Sequence, residues 1–154
     1  MEIVTASEKH IPEILELWKE FMDFHKDIDT RFPLSVNASV NQENHLRASL
    51  QSENAQLLVA IDKSHVIAYS LSEINKYPPI FTRDTYGFIS DMAVKSNYRR
   101  KGIGEEMLAR IHKWFDSRKI DRIELNVAAR NQVGYPFWRK HGFKDYAHRL
   151  YLDR

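Results

Sequence analysis

Residues 85–127 change hydrophobic period twice, and that change constrains the fold more than any other feature of the chain. Residues 85–94 have the length and composition of a strand, rich in β-branched and aromatic side chains. Met107, Leu108, Ile111 and Phe115 then recur at helical spacing, predicting a helix from about Gly102 to Ser117. Residues 120–127 return to strand character. Strand, helix, strand in succession implies a parallel crossover. The expected fold class is therefore α/β with a mixed sheet.

The rest of the chain extends that frame. Residues 2–5 read as a short strand, and Ser7 as the cap of a helix starting near Glu8. Ile11, Ile14, Leu15, Trp18, Phe21 and Met22 form its apolar stripe. Residues 27–37 lack a period, hold Pro33 and predict a loop. A second helix is expected over residues 40–50. Residues 55–61 and 66–74 flank a polar turn, Asp62 to His65, and predict a hairpin. A short helix is expected over residues 136–140, with Gly142 as its C-terminal cap, and one or two final strands over residues 143–152. The expected order is βααβββαβαβ in one domain, residues 1–154.

Composition excludes several function classes. The chain has no cysteine, so disulfides, thiolate metal sites and a cysteine nucleophile are all ruled out. The seven histidines show no zinc-type spacing, and no metal site is expected. A formal charge of +2 gives little footprint for nucleic acid. No apolar run approaches a membrane span, and the N-terminus lacks a secretory profile. A cytoplasmic protein without nucleic-acid or membrane partners is the expectation.

The most informative segment lies between the strand ending at Val94 and the following helix. It contains Arg99, Arg100, Lys101, Gly102, Ile103, Gly104 and Glu105. A helix start exposes unpaired N–H groups and the positive end of the helix dipole. Glycine lets a phosphate approach that backbone closely, and three cations stand beside it. A Walker loop is absent, and the third glycine of a dinucleotide fingerprint is missing.

Tyr98-Arg99-Arg100-Lys101-Gly102-Ile103-Gly104 resembles the Arg/Gln-x-x-Gly-x-Gly/Ala signature of the GNAT superfamily of acyl-CoA-dependent N-acyltransferases. A second block, Leu125-Asn126-Val127 with Asn131 and then Phe137 to Phe143, resembles that family's fifth strand and following helix. The resemblance implies a mixed, mostly antiparallel sheet flanked by helices and splayed between its fourth and fifth strands. Acetyl-CoA, the implied cosubstrate, would lie in the splay. Its pyrophosphate would meet the main chain from Arg100 to Glu105, with Arg99 at the signature position. Its pantetheine arm would add like a strand to Met92, Ala93 and Val94. Asn131 matches a cofactor-contacting asparagine and is also suited to capping a helix.

Aminolysis of a thioester needs a neutral amine, yet at pH 7 an alkyl ammonium is deprotonated only about once in a few thousand molecules. A general base is required. Without cysteine, the reading is direct attack in a ternary complex. Asp91 is the acidic residue of the fourth strand, and alternation puts it on the face of Ile89 and Ala93 unless a bulge intervenes. Glu73 is a second candidate. The resemblance implies a tyrosine seven residues after Asn131 as the acid, but Trp138 stands there. Indole does not usefully transfer its proton. Tyr135, one turn earlier, is the substitute, with Tyr146 and Tyr151 as further options.

The acceptor is expected to be a small-molecule amine or a protein or peptide amine. The resemblance implies that residues 24–36, 77–84 and 146–151 shape its site, and the first region places Asp23, Asp27 and Asp29 beside Phe24 and Phe32, suited to a cationic amine. A homodimer remains compatible with the sequence. The rival reading is a non-catalytic acyl-CoA-binding or sensor domain, to which Trp138 gives weight.

Overall fold

The computed structural model describes residues 1–29 and 34–154. Phe32 and Pro33, expected in the loop before the second helix, lie outside the described residues. Ser7 opens a 3-10 turn, Glu8–His10, whose backbone it boxes with His10 (Ser7 N–H to His10 Nδ1, 3.0 Å). The α-helix proper, α1, follows over Ile11–His25, later than expected at Glu8, with Pro12 in its first turn where no helical N–H is needed. Helix α2 spans Ala38–Gln51.

Strands β1 (Glu2–Thr5), β2 (Ala55–Asp62), β3 (His65–Lys76), β4 (Thr85–Val94) and β5 (Ile123–Glu124) form one sheet in chain order. The first four pair antiparallel, and β4 pairs parallel with β5. The β2–β3 turn holds Lys63 at φ 47° and Ser64 at φ 68°, two positive values that match the twist of a tight hairpin. Helix α3 (Ile103–Ser117) makes the crossover from β4 to β5, and α4 (Gly134–Lys140) follows.

Two cores sandwich the sheet. On one face Met107, Leu108, Ile111 and Phe115 of α3 meet Leu58, Ala60, Ile67, Ala68 and Ile89. On the other, Ile11, Ile14, Leu17 and Trp18 of α1 and Leu46 of α2 meet Leu57, Val59, Tyr69, Leu71 and Ala93. Each fully buried aliphatic side chain stabilises the fold by about 1.5–3 kcal/mol. Leu17, rather than Leu15, is the buried member of the α1 stripe.

Three departures from the sequence reading bear on function. First, β4 carries a bulge. Leu71 faces Asp91 but Ser72 faces Ile89, so Ser90 is the extra residue. The bulge flips the alternation: Ile89 belongs to the α3 core and Ala93 to the α1–α2 core. Asp91 therefore shares a face with Ala93 and not with Ile89, correcting the simple alternation rule. Second, β5 is two residues long instead of the eight expected. Its contact with β4 is confined to Gly87↔Ile123 and Phe88↔Glu124, after which the strands part. This is the splay that the family resemblance implies. Third, the final strands expected over 143–152 are absent. β5 is too short to template them, and Leu150 and Leu152 stand 89% and 83% exposed with no apolar face to cover them.

Where β4 meets β5, helix α3 also approaches the strand closely. A Cβ on Gly87 would lie 2.5 Å from the Phe115 ring, which is fully buried. Gly87→Val should lower stability by about 1–3 kcal/mol, read as an earlier midpoint in urea denaturation. An unchanged midpoint would contradict that packing.

Candidate active site

The splay leaves one edge of β4 open. Lys95 N–H donates to Ile67 of β3, 2.9 Å away, so alternate residues Ala93 and Asp91 also direct their backbone toward β3. Met92 and Val94 then present N–H and C=O to the open side. Of the three expected strand contacts, Met92 and Val94 face the gap and Ala93 does not. The guanidinium of Arg99 closes the end of this edge, with Nε donating to the Val94 carbonyl at 3.0 Å. Arg99 also stands over the Phe24 ring at the end of α1, 5.4 Å from its centroid.

The basic loop turns sharply into α3. Arg100 has φ 60° and Gly102 has φ 82°, a left-handed value that favours glycine. The helix ladder begins with Glu106 N–H to the Gly102 carbonyl, 3.0 Å. The N–H groups of Ile103, Gly104 and Glu105 precede it and are free of helical acceptors. A Cβ on Gly102 would meet nothing within 4 Å, whereas one on Gly104 would sit 3.3 Å from Phe137 and 3.7 Å from Met92. Gly104 thus lets α3, α4 and the open edge of β4 converge. Lys101 lies over the Tyr98 ring, 5.1 Å from its centroid. The side chain of Glu105 turns away, to Lys140 at 2.6 Å, and that hydrogen bond holds its carboxyl below the usual range.

Asn131 is 7% exposed and doubly engaged. Its Oδ1 accepts from Val133 N–H at 3.2 Å and Gly134 N–H at 2.7 Å, capping α4. Its Nδ2 lies 3.3 Å from Nε2 of His25, whose Nδ1 donates to the Phe21 carbonyl at 2.9 Å. This tie joins the end of α1 to the start of α4. Trp138 packs edge-on against Phe137 and Phe143, at 5.0 and 5.2 Å between centroids. Tyr135 lies inside α4, with Pro136 accommodated in the first turn; its phenol donates to Asp145 at 3.0 Å. That carboxylate raises the Tyr135 pKa. Tyr146 stacks under Arg122, 4.6 Å away, and Tyr151 is exposed.

Asp91 projects toward α1 and α2. Its Oδ2 accepts from the Tyr69 phenol at 3.2 Å and from Gln42 Nε2 at 3.4 Å. Burial pushes its carboxyl pKa up, and the Tyr69 hydrogen bond, the His45 charge and the Gln42 hydrogen bond pull it part of the way back. Glu73 stands nearby, accepting from Ser90 Oγ at 2.7 Å, with His45 3.8 Å from its other oxygen. The bulge thus gives both carboxylate candidates a neighbour or a direction that alternation alone does not foresee. Tyr69, Gln42 and His25 escaped the sequence reading. A phenol in the middle of an apolar strand was the available signal for Tyr69, since a buried hydroxyl needs a partner.

Among the described residues there is no cluster of three metal-ligating side chains, and no helix is long and apolar enough to cross a membrane. The family model described as Acetyltransferase (GNAT) family matches residues 13–143. No protein of curated function matches the chain by sequence. Among solved structures, a mutant Bacillus halodurans protein is 25% identical, with a TM-score of 0.89 over 100% of this chain and 99% of its own. A predicted acetyltransferase from Clostridium acetobutylicum, solved with acetyl-CoA, is 22% identical, with a TM-score of 0.81 over 99% and 95% of the two chains. An aminoglycoside 6'-N-acetyltransferase from Acinetobacter haemolyticus is 19% identical, with a TM-score of 0.79 over 100% and 98%. With the family match spanning most of the sequence and the glycine loop, open strand edge and parted β4–β5 pair in place, the chain belongs to the GNAT acetyltransferase family.

Proposed function

We propose that the protein is an acetyl-CoA-dependent N-acetyltransferase that acetylates a primary amine by direct attack in a ternary complex. The observation that carries this reading is the juxtaposition of two features. The open β4 edge, with the α3 start below it, suits a thioester carrier that ends in phosphates. Asp91 projects from the same strand one residue before that edge begins. The left-handed Gly102 and the close-packed Gly104 fit a pyrophosphate against N–H groups of Ile103, Gly104 and Glu105. Arg99, Arg100 and Lys101 supply compensating charge, and Met92 and Val94 pair with the amides of the pantetheine arm.

Acetyl-CoA supplies the thioester whose carbonyl carbon takes the amine and whose sulfur leaves. The ammonium first yields one proton to Asp91 Oδ1. As the C–N bond forms and the C–S bond breaks, the second amine proton is released and the departing thiolate gains one. Asp91 returns its own proton to water, so amide, thiol and one proton are the products. A backbone N–H at the Ser90 bulge is suited to the developing oxyanion. Tyr135 is the hydroxyl on α4 for the thiolate; it must exchange Asp145 for the sulfur to serve. Because a thiolate leaves tolerably unaided, with a reference pKa near ~8.5, Tyr135 speeds the reaction without being essential. The acceptor is an amine on a small molecule or a peptide, approaching from the side of α1 and α2. A cytoplasmic setting accords with this chemistry. The sensor-domain alternative retains the loop but requires Asp91 to be idle.

Calorimetry with coenzyme A and turnover against an amine panel test the reading. Gly104→Val should cut coenzyme A affinity at least about tenfold through the clash with Phe137, equivalent to a single lost charge-assisted contact. Unaltered affinity would reject the loop assignment. Asp91→Asn should bind coenzyme A normally but lose about 100-fold or more in kcat. Full turnover in that variant would leave only the binding role. Tyr135→Phe should lower kcat more than it changes affinity; an unchanged rate removes it as the acid.

A further inference from the structure

The environment of Asp91 is built asymmetrically. Both recorded hydrogen bonds, from Tyr69 at 3.2 Å and Gln42 at 3.4 Å, converge on Oδ2. Among the described residues Oδ1 receives no recorded donor, and the Asp91 side chain remains partly accessible. Tyr69 is wholly buried, at 0% exposure, in the middle of β3, and its ring packs in the α1–α2 core. Gln42 comes from α2, a helix whose Leu46 and Ser49 are buried. A strand and a helix thus grip one oxygen of a carboxylate and leave the other free.

We propose that Tyr69 and Gln42 are positioning residues for the acyl transfer: they clamp Asp91 through Oδ2 so that Oδ1 faces the acceptor amine. This rests on Asp91 being the base. The clamp does two things. It fixes the rotation of the carboxylate, because an unclamped aspartate turns freely about its terminal bond. It also stabilises the charged form, because hydrogen bonds donated to a carboxylate are stronger than those donated to a neutral carboxyl. The remaining groups that act on Asp91 are Glu73 on β3, which opposes its charge, and His45 on α2, which favours it. Ser90 occupies Glu73 through a 2.7 Å hydrogen bond, holding that carboxylate beside its own strand. Because Gln42 and His45 both ride on α2, any displacement of that helix by an acceptor alters the proton affinity of the base.

The test is a carbon-13 carboxyl titration of the full chain, with Asp91→Asn identifying the resonance. Removing a donor from the carboxylate raises its pKa, so the ionised base survives only at higher pH. Tyr69→Phe keeps the buried ring and should move the Asp91 midpoint upward by roughly one pH unit, the scale of one hydrogen bond to a charged acceptor. The low-pH limb of kcat/KM, measured with an amine that the unmodified protein acetylates, should move with it. Gln42→Leu should give a smaller shift in the same direction and serves if the strand variant does not fold. A midpoint and pH limb that stay in place in Gln42→Leu, and in Tyr69→Phe where it folds, overturn the clamp. Shifted midpoints alongside full turnover in Asp91→Asn would instead overturn the base reading on which it rests.

Discussion

The site depends on a sheet that cannot finish closing. β4 and β5 share only two residue pairs, at Gly87 and Phe88, where the Gly87 N–H donates to the Arg122 carbonyl and Phe115 of α3 seats closely on Gly87. Beyond that point β5 leaves, and β4 runs on with one edge unpaired. Unpaired N–H and C=O groups in a folded interior demand partners. The protein supplies one, Arg99, at the Val94 carbonyl, while Met92 and the Val94 N–H stay on the open side. The same strand feeds through residues 95–102 into α3, so the open edge and the helix start are neighbours in the chain.

The Ser90 bulge is the second constraint. A regular β4 would aim Asp91 into the α3 core, where an unpaired carboxylate is costly. One extra residue moves it to the other face, to Tyr69 and Gln42, while Ile89 keeps its place in the α3 core. Backbone irregularity thus reconciles an apolar core on one side of β4 with a hydrogen-bonded carboxylate on the other. The His25–Asn131 tie completes the frame by fastening the end of α1 to the start of α4, so both walls of the opening are braced by hydrogen bonds far apart in sequence.

The sequence made some of this legible because the relevant forces are local. The extents of β4 and α3 follow from period and from Gly102, whose positive φ is a demand of the turn itself. The basic glycine loop was readable because charge, glycine and a helix start are neighbours in the chain. What the sequence hid was non-local. The bulge arises from the pairing of β3 with β4, and no property of Ser90 alone announces it. The shortness of β5 and the unpaired tail reflect how far two strands diverge in space, although residues 120–127 and 143–152 carry ordinary strand patterns. Two of the partners, His25 on α1 for Asn131 and Gln42 on α2 for Asp91, lie 106 and 49 residues away in the chain.

The central claim, that the open β4 edge and the α3 start together receive the carrier, is read most directly by residue-resolved amide hydrogen exchange with and without coenzyme A. The account predicts slowed exchange at Met92, Val94, Ile103, Gly104 and Glu105, with Ala93 unchanged because its N–H already belongs to β3. Protection confined to other segments, with these amides exchanging as before, would contradict it.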